Sequence, residues 1–408
     1  MSIRVSVLAR YKVLPRLAGG SFLPLGLFAR LPLAMLTLGA LTLLSVVSGS
    51  YALGGLAAGA VGVGSAVGAP VLGAFADRLG QRPVLLSAAT LNTAAIVAVV
   101  LTSYPPGGLS PASPVPVVAA ALAAGLTTPQ VGPFARARWI GLTEGRTLRA
   151  LELDAALSYE GTADEVTFVL GPALVGVLGA ALAPWVPLAV AAALTLTLVT
   201  AFAVHPTAAA VRPMARGELA PVRPREWAIV LLPVAAMLAM GTFFGGTQAA
   251  LTAFSGEHGV PELGGLLYAA MGLTSAAAAL SVAVWPQSFR LAARWFACAL
   301  AMLAFSFTLF APQGVGPMAA ALLLTGIPVG PIMVTVFGIG GRLAPAGRTS
   351  TVMTALASGI VAGTALGSAV GGRLAQSGGS AAAFATPVAA AAVLAALGGA
   401  AVVVMRRR

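Results

Sequence analysis

The spacing of charged residues constrains this chain more than any other feature. Eight blocks contain no Asp, Glu, Lys or Arg: 31–76, 83–135, 166–211, 227–256, 263–289, 295–341, 349–372 and 374–405. A helix rises 1.5 Å per residue, so about 20 mostly apolar residues cross the roughly 30 Å hydrocarbon core of a bilayer. Four blocks are long enough to cross twice, and each has a breaker near its middle: Ser48-Gly49-Ser50, Tyr104-Pro105-Pro106-Gly107-Gly108, Pro184-Trp185-Val186-Pro187 and Pro312-Gln313-Gly314. Splitting them there predicts twelve spans and an all-α membrane protein. Composition agrees, because 59% of residues are hydrophobic and only 8% charged, where soluble domains carry about 25%.

The net charge of +12 belongs to loops. Basic residues are dispersed between apolar blocks and form no patch or aromatic-interleaved stripe, so nucleic acid is not an expected partner. All but Lys12 are Arg, which with the abundant Ala and Gly reads as the codon bias of a GC-rich genome. The single Cys298 excludes a disulfide framework or thiolate metal site, and His205 and His258 are far apart. No metal or cofactor is expected. Arg4, Arg10, Lys12 and Arg16 precede an apolar stretch, Leu17 to Val47, that is too long for a signal peptide and is expected to stay as the first span.

Cytoplasmic loops carry an excess of Lys and Arg. With both termini inside, the inner segments collect Arg78 and Arg82, Arg136 through Arg149, Arg212 through Arg225, Arg290 and Arg294, Arg342 and Arg348, and Arg406 to Arg408. The outer loops hold almost none; Glu257 and Glu262 lie in one, and Arg373 is the basic exception. The expectation is a multi-pass protein of the cytoplasmic membrane with both termini cytoplasmic.

The two halves echo one another. Leu53-Gly54-Gly55-Leu56 reappears as Leu263-Gly264-Gly265-Leu266, and Ser65-Ala66 as Ser275-Ala276, both at an offset of 210; Val131-Gly132-Pro133 is echoed by Val329-Gly330-Pro331. Such repeats mark transporters built from parallel halves. The expected organisation is a tail at 1–16, a six-helix bundle at 17–204, a cytoplasmic linker at 205–226, a second six-helix bundle at 227–405 and a tail at 406–408.

The inner loop after the second span reads Gly73-Ala74-Phe75-Ala76-Asp77-Arg78-Leu79-Gly80-Gln81-Arg82. It resembles the signature loop of the major facilitator superfamily, Gly-x-x-x-Asp-Arg-x-Gly-x-Arg, at the same place in the topology. Gly73 allows close helix approach, Gly80 permits a tight turn, and Asp77 can accept hydrogen bonds from a helix amino terminus, with span eleven, beginning near Thr349, the expected neighbour. Asp77 could also pair with Arg136 or Arg138, forming a latch that breaks when the inner side opens. In the second half, Trp285-Pro286-Gln287-Ser288-Phe289-Arg290 has Gln287 where Asp77 maps, so any inner latch is asymmetric.

Gly171-Pro172-Ala173-Leu174-Val175-Gly176 in the fifth span resembles part of the Gly-Pro motif of bacterial drug/proton antiporters in that superfamily. Gly171, Pro172 and Gly176 are read as a helix-bending device, since Gly and Pro free backbone groups that neighbouring helices must satisfy. Gly363, Gly367 and Gly371 in span eleven form a face of small residues suited to close contact.

Ionisable groups within a bilayer are costly and mark function. With span five starting near Asp154, Glu160 lies roughly 9 Å and Glu165 roughly 16 Å into the membrane. Glu160 and Asp164 share a face, and Glu165 is turned away. Arg30 of span one lies at comparable depth, and the resemblance implies that spans one and five are neighbours. Arg30 is expected to pair with Glu165 or Asp164, leaving a free carboxylate to carry a coupling proton. In span seven, which lines the central cavity in the resembled fold, Phe243, Phe244, Thr247 and Gln248 are candidate substrate contacts.

No Gly-x-Ser-x-Gly elbow, His-Glu-x-x-His or phosphate loop is present, so neither an enzyme nor an ATP-driven pump is expected of this chain. The resemblance implies alternating access by rocking of two halves. The expectation is a monomeric exporter of a small amphipathic or drug-like solute, driven by proton influx, with proton-coupled uptake of a sugar or metabolite as the alternative.

Overall fold

The computed structural model describes residues 10–105, 114–213, 223–260 and 263–406. The first nine residues, residues 214–222 of the linker, the Pro106-Gly107-Gly108 breaker, Glu262 and the last two residues lie outside them. Every regular element among the described residues is helical, and twelve helices there are long and apolar enough to cross a membrane. They are α1 (Phe22–Ser48), α2 (Ala52–Leu79), α3 (Gln81–Thr102), α4 (Val115–Thr143), α5 (Arg149–Ala181), α6 (Val186–Val204), α7 (Pro224–Glu257), α8 (Gly264–Val284), α9 (Leu291–Phe310), α10 (Val315–Leu343), α11 (Thr349–Ala383) and α12 (Ala385–Met405). The chain is a multi-pass membrane protein.

The turns use the chemistry their sequences supply. Gly49 takes a left-handed conformation (φ 64°) that ends α1, and the Ser50 hydroxyl caps α2 by accepting from the Leu53 amide at 3.3 Å. Gly80 joins α2 to α3 at φ 90°, which a side chain would strain. Breaks also fall inside spans. α1 is interrupted at Ala29 and Arg30, α4 unwinds between Leu126 and Val131, and α10 between Gly326 and Val329. The last two breaks immediately precede the echoed Val-Gly-Pro segments, so the repeat corresponds to a shared backbone feature.

Packing repeats too. Glycines let backbones touch: Gly125 of α4 lies on the Val61 carbonyl of α2, and Gly326 of α10 on the Met271 carbonyl of α8. Gly171 of α5 faces Ala34 of α1, while Gly363 and Gly367 of α11 face the Leu238 and Thr242 carbonyls of α7. In return Gly241 and Gly245 of α7 face Ile360 and Thr364 carbonyls, so α7 and α11 meet along a strip where no Cβ fits. In lipid, where exclusion from water does not drive helices together, such contact holds them by dispersion.

With twelve helices running alternately up and down, the start of α1 and the end of α12 lie on one side of the bundle, called here the terminus side. The first six and last six helices are tied together there. Arg10 donates to the Ala283 carbonyl and the Tyr11 hydroxyl to the Leu280 carbonyl, each at 2.7 Å. Burial pushes the Tyr11 phenol up to about 12, so it stays a donor at neutral pH.

Candidate functional site

A charged cluster sits where α1, α4 and α5 meet. α5 begins at Arg149, five residues earlier than the position expected near Asp154, after a turn in which Gly145 adopts φ 72° and Arg146 grips Glu152 through two bonds of 2.6 and 2.9 Å. Glu160 and Asp164, one turn apart, therefore lie deeper along the helix than the sequence indicated, and they do face the same way. Arg30, at the interruption of α1, binds both: its Nη2 donates to Glu160 Oε2, and its Nε lies 3.3 Å from Asp164 Oδ1. Trp139 Nε1 donates to the other Glu160 oxygen at 2.7 Å. Gly132 of α4 makes the room, because a Cβ there would stand 3.2 Å from Arg30 Nε and 3.3 Å from Asp164 Oδ1.

Two expectations are corrected. Arg30 takes Glu160, not Glu165, as its partner besides Asp164, because Glu160 and Asp164 are on one face and Glu165 on another. Arg136 does not pair with Asp77; its Nη2 donates to Asp164 Oδ2 at 2.5 Å, and its guanidinium carbon lies 3.9 Å from the centre of the Phe337 ring of α10. Arg30, Arg136 and Glu160 are 5%, 2% and 1% exposed. Removing one partner of so buried a pair leaves an uncompensated charge, at a cost of about 3–5 kcal/mol.

Glu165 stands apart. Its Oε1 accepts from Ser275 Oγ of α8 at 2.7 Å, and no Arg, Lys or His reaches it among the described residues. Gly272 lies beside its second oxygen, with Val169 one turn further along α5. The Ser275 contact crosses between the halves. A turn nearer the terminus side, the Thr162 hydroxyl donates across the same interface to the Ala276 carbonyl at 3.2 Å.

Asp77 caps α11. Its Oδ1 accepts from the Ser350 amide at 2.9 Å, and its Oδ2 from the Thr351 amide and hydroxyl at 2.7 and 2.6 Å. Gly73, one turn earlier, faces Thr354 and the Ser350 carbonyl, with no space for a Cβ. Arg138 also has other partners than Asp77: Gln81 Oε1 at 2.8 Å, the Phe202 carbonyl at 2.9 Å, the Thr207 hydroxyl at 3.0 Å and the Phe202 ring. It braces α4 against α3 and α6 within the first half. Burial and this cation hold the neighbouring His205 below the ordinary imidazole range. Arg78 and Arg82 are exposed, so neither contributes to the contact Asp77 makes.

The second half has its own tie, which the sequence reading missed. Gln287 Nε2, at the position corresponding to Asp77, donates to Asp154 Oδ2 of α5 at 3.0 Å, and Arg294 Nη1 approaches the same oxygen at 3.3 Å. The carboxylate has moved from the loop to the facing helix. Only a comparison of Asp154 with its counterpart at the start of α11 could have signalled it.

Two further sets of residues are relocated. Phe243 and Thr247 are fully buried in α7, and the Thr247 hydroxyl donates to the Phe243 carbonyl of its own helix at 2.7 Å, so neither is free to touch a solute. Phe244 is half-buried and Gln248 exposed. Of the Gly-Pro segment, Pro172 lies inside the continuous helix α5, Gly171 serves the contact with Ala34, and Gly176 has open space around it.

Comparison with known proteins follows the fold. The superimposable structures include the human organic anion transporter TETRAN (TM-score 0.70, 18% identity, 94% of this chain and 99% of that one). A bacterial homologue of the iron transporter ferroportin in an outward-facing state also matches (TM-score 0.71, 16% identity, 93% and 98%), as does the Escherichia coli fucose:proton symporter (TM-score 0.64, 13% identity, 96% and 99%). At these identities the likeness is one of fold. No curated protein matches the chain in sequence. The model of the Major Facilitator Superfamily matches residues 22–359. With that match over most of its length, the chain belongs to the major facilitator superfamily, whose members are transporters and not enzymes.

Proposed function

We propose that the protein exports a small amphipathic solute from the cytoplasm by alternating access, in exchange for protons carried by Glu165. The terminus side is cytoplasmic in this reading, the membrane is the cytoplasmic membrane, and the moving bodies are 17–204 and 227–405. The observation that carries it is the division of labour among three acids on one helix. Glu160 and Asp164 are neutralised by Arg30 and Arg136, while Glu165 meets only the Ser275 hydroxyl.

Coupling requires a proton affinity that differs between the two conformations, because one ligand can bias an equilibrium only through differential binding. Ser275 belongs to the opposite half, so its bond to Glu165 exists only while the halves are together at this depth. Opening the terminus side takes the donor away and admits water to the carboxyl. The ties of Asp77 to α11 and of Asp154 to Gln287 and Arg294 hold that side shut in the present state. The partial Gly-Pro resemblance supports export, and the fold likeness to a fucose:proton symporter makes uptake by symport the second reading.

The test uses proteoliposomes with inside-out protein and a solute found by thermal-shift screening. Export coupled to proton influx requires accumulation when the lumen is acid, collapse on adding an uncoupler, and loss of uphill transport in Glu165→Gln with counterflow retained. Accumulation indifferent to the uncoupler would refute the coupling, and accumulation driven by the opposite pH gradient would refute the direction.

A further inference from the structure

Residues 10–18 precede α1, and most of them read from the sequence as tail, yet they are folded against the bundle on the terminus side. Val13–Ala18 is helical and ends at Gly19, which takes φ 86°. The two sides of the segment differ. Leu14 and Ala18 are buried and Tyr11 is half-buried, whereas Lys12, Pro15 and Arg16 are exposed. Positions 11, 14 and 18 share one side of a helix, and 12 and 16 share the other. The apolar side is turned to protein, where a helix anchored in the membrane surface would turn it to lipid. It packs on α5 and the start of α1, both in the first half.

Only the tip crosses to the second half. The Tyr11 hydroxyl lies within hydrogen-bonding range of Ser158 of α5 and donates to the Leu280 carbonyl of α8, and Arg10 Nη1 donates to the Ala283 carbonyl, each of these two bonds being 2.7 Å. Both acceptors lie at the end of α8, where carbonyls run out of intrahelical donors and carry the negative end of the helix dipole. A phenol and a guanidinium from the other half supply what that helix end lacks. The bonds extend a row of contacts between α5 and α8, from Glu165 with Ser275 and Thr162 with Ala276, out to the surface of the bundle.

This seam is otherwise the weaker of the two. Between α2 and α11 the Asp77 carboxylate accepts three bonds of 2.6 to 2.9 Å. At the start of α5, Asp154 accepts from the Gln287 amide at 3.0 Å and from Arg294 at 3.3 Å. We infer that residues 10–18 are a gating strap: they move with the first half, and the grip of Arg10 and Tyr11 on the end of α8 is released each time the terminus side opens. The inference requires only that the halves part on this side, whichever group carries the proton.

The experiment uses the full-length protein in lipid nanodiscs, with Cys298→Ser and Thr162→Cys. Position 162 faces the opposite half across the seam. A charged methanethiosulfonate therefore reaches its thiol from water when the seam opens, and the labelling rate follows the open fraction even where that fraction is small. Losing one charged and one neutral hydrogen bond, each exchanged for water on opening, should raise the rate about tenfold in Arg10→Ala with Tyr11→Phe. Tyr11→Phe alone, which keeps the ring and removes only the hydroxyl, should raise it about threefold and serves if the double variant does not fold. Lys12→Ala with Arg16→Ala removes two exposed charges from the same segment and should leave the rate unchanged.

An unchanged rate in the folded Arg10 and Tyr11 variants, or an equal rise in the Lys12 and Arg16 variant, overturns the inference. The motion of the strap is tested separately by spin labels at Lys12→Cys and Arg290→Cys in protein carrying Asp77→Ala and Cys298→Ser. This pair should gain a longer distance together with a pair at Arg78→Cys and Arg290→Cys. If the Arg78 pair lengthens while the Lys12 pair keeps a single distance, the strap rides with the second half and is not a gate.

Discussion

Replacing Asp77 by Ala should open the terminus side. The side chain makes three hydrogen bonds to the start of α11, two from backbone amides and one from a hydroxyl, all between 2.6 and 2.9 Å. Each involves a charged acceptor and would individually contribute about 1.5–3 kcal/mol. Opening hands the same groups to water, and three bonds to one carboxylate are not additive, so about 3 kcal/mol is a working figure for the whole contact. That is roughly a hundredfold change in the open-to-closed ratio, enough to turn a population of about 1% open into about half. Gly73 and the Asp154 tie remain, which keeps the shift from running to completion.

Spin labels at exposed Arg78→Cys and Arg290→Cys, one on each half, would report the separation by pulsed dipolar spectroscopy, after the native Cys298 is replaced by Ser. A second, longer distance should appear with Asp77→Ala and gain a comparable share of the distribution. Asp77→Asn, which keeps an acceptor without the charge, should give an intermediate share. An unchanged distance distribution in Asp77→Ala, with the variant folded by its thermal transition, would refute the argument that this carboxylate holds the halves together.

Further predictions concern stability. Arg30→Met should lower the stability of the purified protein by about 3–5 kcal/mol by stranding Glu160, and Glu160→Gln in the same chain should recover part of the loss; equal thermal unfolding of single and double variants would contradict the pairing. Gly363→Leu should prevent α7 and α11 from meeting, since a Cβ already collides with the Leu238 carbonyl; reduced yield of folded protein and a lower unfolding temperature are the readouts. Gly132→Val should displace Arg30 or Asp164, and transport should suffer more than in Gly176→Val, whose neighbourhood is open.

The site was legible in part, and the reasons are specific. Asp77 and the start of α11 could be joined on paper because a carboxylate beside a helix amino terminus is a local electrostatic fact attached to a recognisable loop. Arg30 and the acids of α5 were found because charge in an apolar block is conspicuous. Of the two partners expected for Arg30, Asp164 is found and Glu165 is replaced by Glu160, because which face of α5 meets α1 is set by packing and not by the helix's own sequence. Phe243 and Thr247 were misplaced because a Gly- and Phe-rich helix gives no periodic sign of which face is buried. Asp154 escaped notice because its partners, Gln287 and Arg294, lie 133 and 140 residues away.

The sequence by itself determined the number of crossings, the all-helical class and the presence of two related halves, since an unpaired backbone or a bare charge cannot stay in hydrocarbon and the pattern of charge-free blocks leaves few alternatives. Tertiary structure alone decided which arginine neutralises which acid and which carboxyl is left with a hydroxyl as its only polar partner. Those outcomes depend on rotation and axial offset between helices, set by glycine contacts such as Gly171 with Ala34 and Gly330 with the Ser275 carbonyl. A shift of one residue turns a helical side chain by about 100°, so the partners of a buried charge change with packing details that no single helix encodes.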